Sequence, residues 1–264
     1  MESEFTAFFN AGARIQVSLV CINSRTKPAA RPVQHQPTDC PNARIALRYS
    51  MIKHQFAHVT SWVFDLDNTL YPPRYRLFDQ IEVRMTDWVM KALGVGQTEA
   101  NRLRQHYWDT YGTTLAGLMR EHNVDPTPYL TDVHDIDFTG LPADPELAEA
   151  IAALPGRRIV YTNACEPYAH KVLAARGLTG LFDAVYGVEH AGFRPKPEQT
   201  AFETIFAIDG LNPSTAAMFE DDPRNLAAPH LMGMKTVFVA PKPLKALHIQ
   251  HHTNDLAAFL RLVV

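Results

Sequence analysis

Short apolar runs alternate with amphipathic stretches along most of the chain beyond residue 60. Residues 61–64 (SWVF) are largely apolar and end abruptly in acids, the pattern of a buried strand with a polar carboxyl edge. Leu77, Ile81, Met85, Trp88/Val89 and Ala92 then recur at intervals of three or four. That spacing predicts an amphipathic helix over 77–93, stopped by Gly94. Thr98 is placed to cap a second helix through Tyr111, and 114–122 predicts a third. Pro126, Pro128, Pro142 and Pro145 then predict loops. This stretch carries no strand signal and reads as an inserted helical module.

Beyond it, short strands and helices alternate. Helices are predicted at 145–153, 167–176, 198–208, 224–232 and 255–262, and strands at 158–161, 184–186, 216–219 and 236–239. With 61–64 this makes five strands. Such alternation implies a parallel sheet covered on both faces, which places ligands at the carboxyl ends of its strands.

The first 50 residues differ. They carry six basic and three acidic groups, whereas the whole chain has a net charge of −3. Residues 23–50 hold four prolines and no hydrophobic period, a composition that reads as disordered. Residues 1–57 are therefore expected to be an extension to the domain, with Met51 as the functional start. Glu2 and Glu4 sit where a targeting peptide is basic. Three distant cysteines, Cys21, Cys40 and Cys165, offer neither a disulfide framework nor zinc-ligand spacing and fit a reducing, cytoplasmic setting. The charge balance excludes a global nucleic-acid-binding field, and no apolar run is long enough for a membrane span.

Polar residues gather at the predicted strand ends. The first strand runs into Asp65-Leu66-Asp67-Asn68-Thr69, the second into Thr162-Asn163, and the fourth into Glu220-Asp221-Asp222, while Lys196 precedes a helix. A parallel sheet brings these to one edge. There one aspartate can attack phosphorus and the other can protonate the leaving oxygen. A third acid, with Asp65, can hold Mg²⁺, and Thr162 and Lys196 can bind phosphate.

These four segments, in this order, resemble the motifs of the haloacid dehalogenase-like (HAD) hydrolases over about residues 58–264. The resemblance implies an α/β fold with a Rossmann-like parallel core, at 58–73 and 141–264, and a helical cap at 74–140. It implies Asp65 as nucleophile and Asp67 as acid/base, with Thr162, Asn163 and Lys196 on the phosphate. Mg²⁺ would sit on Asp65, the Asp67 backbone carbonyl and an acid of the last motif. Asp221 has the family's spacing to Asn225, with Asp222 as the second candidate; Glu220 reads as structural. Members that cleave carbon–halogen bonds usually lack the second aspartate, so Asp67 favours a phosphatase.

Tyr71-Pro72, Tyr111-Gly112-Thr113-Thr114-Leu115, Tyr129-Leu130 with Val133-His134-Asp135, and Phe219-Glu220-Asp221 with Pro223-Arg224-Asn225-Leu226 resemble the pyrimidine 5′-nucleotidase branch. The implied substrate is a nucleoside 5′-monophosphate. Alternatives are another small phosphomonoester, such as a sugar phosphate or phosphoglycolate, or a non-catalytic binding protein that kept the fold. Neither a nucleic-acid polymer nor a membrane is expected as a partner. Tyr107, Tyr111, Thr113, Thr114 and His134 are the cap candidates for substrate contact. Arg74 and Arg76 either reach a substrate or pair with surface acids. His248, His251 and His252 read as a solvated segment, and Cys165 has no assigned role.

Overall fold

The computed structural model describes residues 51–264. Six parallel strands form one sheet: β1 (Ser61–Phe64), β2 (Arg157–Tyr161), β3 (Ala184–Tyr186), β4 (Ala216–Glu220), β5 (Lys235–Val239) and β6 (His251–Thr253). Their order is β3-β2-β1-β4-β5-β6, so β1 is central, with β2 on one side and β4 on the other. The chain builds outward in one direction from β1 to β3 and in the other from β4 to β6. The gap between β1 and β4 is therefore the topological switch point, where an open parallel sheet leaves a crevice at its carboxyl edge.

Alternate side chains of β1 serve opposite faces of the sheet. Trp62 and Phe64 face one apolar layer, with Phe64 stacked on Phe219 at 4.7 Å. Val63 faces the other, with Ile159, Met218 and Phe202. Both faces are covered, which is why β4 reads as a continuous apolar run.

The helical module after β1 consists of four helices: α1 (Leu77–Leu93), α2 (Gln97–Tyr111), α3 (Thr114–His122) and α4 (Pro126–Val133). The prolines at 126 and 128 do not make a loop. Pro126 occupies the first turn of α4, where its missing N–H costs nothing, and the Asp125 side chain caps the helix at the Thr127 N–H. Gly117 lets α3 approach α2; a Cβ there would lie 2.2 Å from the Tyr107 ring. The remaining helices cover the sheet: α5 (Pro145–Ala152), α6 (Glu166–Ala175), α7 (Gln199–Asp209), α8 (Ala227–Leu231) and α9 (Leu256–Val263).

Arg176, 1% exposed, fastens both crossings between sheet and helical module. It donates to the Leu70 carbonyl on the outgoing segment and to the Pro142 carbonyl and Asp144 carboxylate on the return.

Three expectations need correction. The sheet has six strands, because residues 251–253 pair with β5. His251 is accordingly half-buried and packs on Phe56 and Phe259, with centroids 5.0 and 5.9 Å away. The expected extension lies outside the described residues up to position 50, but its last part is structured. Residues 51–56 are helical, and Phe56 is buried on Trp62 and Phe259. Among the described residues no helix is long and apolar enough to cross a membrane.

Candidate active site

β1 and β4 end side by side, with the Asp65 N–H donating to the Phe219 carbonyl at 2.9 Å. Asp65 therefore stands beside Glu220 and Asp221 at the switch point. Carboxylate oxygens of these three residues lie within 4.8 Å of one another. Lys196 enters from the loop before α7 with its ammonium fully buried. Nζ donates to Asp65 Oδ1 at 2.7 Å, Glu220 Oε2 at 2.7 Å and the Tyr161 carbonyl at 3.0 Å.

Burial disfavours the ammonium, but the Asp65 and Glu220 carboxylates outweigh it and hold the Lys196 pKa above its usual range. Burial and the nearby Asp65 push Glu220 up to about 7, against the pull of Lys196. Asp221 is likewise pushed up, by burial and then by Asp65 and Glu220. Three acids around one cation are a site short of positive charge.

Asp67 lies in a different environment. Its Oδ1 accepts hydrogen bonds from the Tyr71 hydroxyl at 2.6 Å and the Tyr168 hydroxyl at 2.7 Å. Burial raises its pKa to about 6; the tyrosine hydrogen bonds oppose that rise and Asp65 adds to it.

Thr162, at the end of β2, is buried, and its Oγ1 accepts from the Ala164 N–H at 3.0 Å. The hydroxyl proton is left for another acceptor. The Asn163 side chain turns to the Lys196 backbone. Its Oδ1 accepts from the Lys196 N–H at 2.7 Å and its Nδ2 donates to the Lys196 carbonyl at 3.0 Å, so the amide clamps the lysine backbone. Gly112, at φ +87, presses the α2–α3 turn onto the same peptide; a Cβ there would lie 3.2 Å from the Lys196 carbonyl oxygen.

An all-oxygen donor set suits a hard divalent cation such as Mg²⁺. Asp65, Glu220 and Asp221 provide it, and Asn225, four residues beyond Asp221, has a buried Oδ1 without a partner. These residues fit a cation. Asp222 is not among them. Its carboxylate caps the turn at the Arg224 N–H and pairs with the Arg224 guanidinium at 2.7 Å. Arg224 in turn lies 3.4 Å from the Trp108 ring centroid, joining the last motif to α2.

The cap candidates scatter. Tyr107 is fully buried, its hydroxyl 2.7 Å from His122 Nε2, and it belongs to the α2–α3 packing rather than to a substrate surface. Thr113 caps α3 through the Ala116 N–H, and Thr114 is buried. Tyr111 donates to Glu121 and lies under Arg120, which pairs with Glu198 beside the Lys196 loop. His134 is buried, stacked on Tyr168 at 4.4 Å and 18°, with Nδ1 3.2 Å from Cys165 Sγ. Arg76 pairs with surface Asp79, and Arg74 lies over Tyr75.

Glu220, Tyr71 and Tyr168 are site neighbours to which the motifs assign no part in the chemistry: Glu220 reads as structural and Tyr71 only as half of the Tyr71-Pro72 pair. For Glu220 the signal was present in the acidic triplet. For Tyr168 there was none, because a tyrosine in the first turns of an amphipathic helix reads as core.

Burial pushes the His134 pKa down to about 4. Its folded value lies below its unfolded one, so its contribution to stability is complete above about pH 6.5 and is lost as pH falls towards 4. His134→Phe keeps the ring and removes the titration. Between pH 7 and pH 5 the wild type should lose about 2 kcal/mol more stability than this variant, measured by urea unfolding. Equal losses would show that the imidazole is solvated when protonated.

Comparison with known proteins agrees with this architecture. The chain is 27% identical over 189 residues to Phosphate metabolism protein 8 of Saccharomyces cerevisiae, covering 65% of this chain and 58% of that protein. It thus spans less than two thirds of that relative's length. Among solved structures it resembles the HAD-hydrolase YfnB of Bacillus subtilis, bound to magnesium, at TM-score 0.52 and 15% identity. It also resembles a 2-haloacid dehalogenase of Pseudomonas syringae pv. Tomato, at TM-score 0.52 and 17% identity. Each likeness covers 78% of this chain and 98% of the other, and each is a likeness of fold. The haloacid dehalogenase-like hydrolase pattern matches residues 62–233, from β1 past the acidic cluster, and the chain belongs to that family.

Proposed function

We propose that the protein is a Mg²⁺-dependent phosphomonoesterase acting through an aspartyl-phosphate on Asp65, with pyrimidine nucleoside 5′-monophosphates as substrates. The observation that carries the reading is the contrast between two aspartates only two residues apart. Asp65 is paired with a buried ammonium, whereas Asp67 is held by phenols with its pKa raised to about 6. Two carboxyl groups in such different environments suit two roles, nucleophile and proton donor.

In this reading Asp65 attacks phosphorus as Asp67 gives a proton to the departing ester oxygen. Asp67 then takes a proton from the water that hydrolyses the intermediate. Lys196 orients Asp65 and offsets its negative neighbours, and the Thr162 hydroxyl donates to a phosphate oxygen. Asp65, Asp221 and the Asp67 backbone carbonyl would hold Mg²⁺, which would supply positive charge against the phosphate oxygens.

A cavity of about 330 Å³ between α4 and α6 offers room for a ring-sized leaving group. Its wall includes Tyr168, whose hydroxyl is on Asp67. The name of the yeast relative points towards phosphate chemistry as well. Dehalogenation is the second reading, favoured by the fold likeness to a dehalogenase. Halide departs without a proton, which would leave Asp67 without its role as acid.

The test is release of inorganic phosphate from a panel of nucleotides, sugar phosphates and phosphoglycolate, with Mg²⁺ and with chelator. UMP and CMP should be the best substrates, and chelator should stop release. Equal rates on sugar phosphates would reject the nucleotidase reading. Chloride release from 2-chloropropionate, with no phosphate release from any ester, would reject the phosphatase.

A further inference from the structure

Both hydrogen bonds to the Asp67 side chain fall on one oxygen. Tyr71 and Tyr168 donate to Oδ1, and among the described residues no side chain donates to Oδ2. A carboxyl oxygen has two lone pairs, and two phenol donors occupy both. A proton on Asp67 therefore belongs on Oδ2.

The two phenols are themselves fixed. Tyr71 is fully buried and stands one turn beyond Asp67, where the Leu70 N–H donates to the Leu66 carbonyl at 2.9 Å. Tyr168, 1% exposed, is stacked on His134 and packed against Phe138 at 6.0 Å, both on the segment leaving the helical module.

We propose that Tyr71 and Tyr168 are positioning residues that grip Asp67 by Oδ1 and so make Oδ2 the atom that gives and takes the catalytic proton. The inference rests on the phosphatase reading above. In the first step the Asp65–phosphorus bond forms, the phosphorus–ester oxygen bond breaks, and the proton on Oδ2 passes to the leaving oxygen. In the second step the water oxygen bonds to phosphorus, its proton returns to Oδ2, and the Asp65 carboxylate leaves with its electron pair. Oδ1 keeps its two donors throughout. The exit segment of the cap thereby bears on the acid through the His134–Tyr168 stack.

The experiment is a double-mutant cycle in the full chain with Mg²⁺. Tyr168→Phe and Tyr71→Phe, which keep the rings, are each combined with Asp67→Asn. The probes are β-glycerophosphate, whose leaving group needs a proton, and p-nitrophenyl phosphate, whose leaving group needs little. Each phenylalanine variant should lower kcat on β-glycerophosphate by about tenfold with KM nearly unchanged, and lower it several-fold less on p-nitrophenyl phosphate. In the Asp67→Asn background the tyrosine changes should cost no further activity. Equal losses on both esters, or the same loss with and without Asp67, would mean that the tyrosines serve only packing and would overturn the proposal. A wild type inert towards both esters and towards UMP and CMP would reject the phosphatase reading and the proton role with it. An active wild type with an additive cycle would reject the positioning role alone.

Discussion

Asp65→Asn is expected to lower phosphate release by about 10⁴-fold or more while the protein stays folded. An amide does not attack phosphorus and is a poor ligand for a hard cation. The same substitution removes one of three acids crowded around a single ammonium. Burial and mutual repulsion already push Glu220 up to about 7 and Asp221 upward. Stability should therefore be retained or slightly raised, with chelator present, in urea or thermal unfolding. Activity near that of the wild type, in a preparation free of contaminating phosphatase, would exclude Asp65 as the nucleophile. A collapse of stability would show that the Asp65–Lys196 bond outweighs the acid crowding.

Lys196→Met should do the reverse and damage the fold as well as the reaction. Nζ is the partner of two carboxylates, one of which, Glu220, is 1% exposed. Removing one member of a buried ion pair typically costs about 3–5 kcal/mol, because the remaining charge has neither water nor partner. Glu220 can relieve part of this by taking up a proton. The loss should therefore lie towards the lower figure and shrink on mild acidification. Adding Glu220→Gln should restore much of the stability without restoring activity, since Asp65 would still lack the ammonium that orients it. If the double variant is no more stable than Lys196→Met alone, the buried charge is not what the lysine offsets.

The two variants separate what the cluster does for the reaction from what it does for the fold. In metal-free protein the lysine is the main compensation for the acids, so the site should be loosest where both lysine and cation are missing. The latch between Arg224 and Trp108, and the pair of Arg120 with Glu198, tie the α2–α3 end of the cap to the loops that carry the acids and the lysine. Loosening those loops is therefore expected to be felt in the cap.

Much was legible from local pattern. Strand and helix periods follow from which faces are buried, and a parallel sheet must collect polar residues at its carboxyl edge. Asp65, Asp67, Thr162, Lys196 and Asp221 could be named for that reason: each ends a strand or sits in the loop beyond one. Pro126 was misread because a proline that breaks a helix interior also starts a helix, and only the Asp125 cap distinguishes the two. The sixth strand was missed because His251–Thr253 is short and only partly buried, and its place depends on the neighbouring β5.

Sequence alone determined the α/β class, the inserted helical module and the set of chemical groups at the sheet edge, because these depend on periodicity and chain order. Tertiary structure decided which partner each group takes. It placed Asp222 on Arg224 and Asn163 on the Lys196 backbone, leaving Asp221 and Glu220 beside Asp65. It buried Tyr107 between helices and set His134 under Tyr168. Of the two phenols on Asp67, Tyr71 in the turn after β1 is only four residues away along the chain, whereas Tyr168 on α6 is 101 residues away. Hydrogen bonds and ion pairs reach only about 3 Å and depend on direction, so they are set by how distant elements pack and leave no period in the chain.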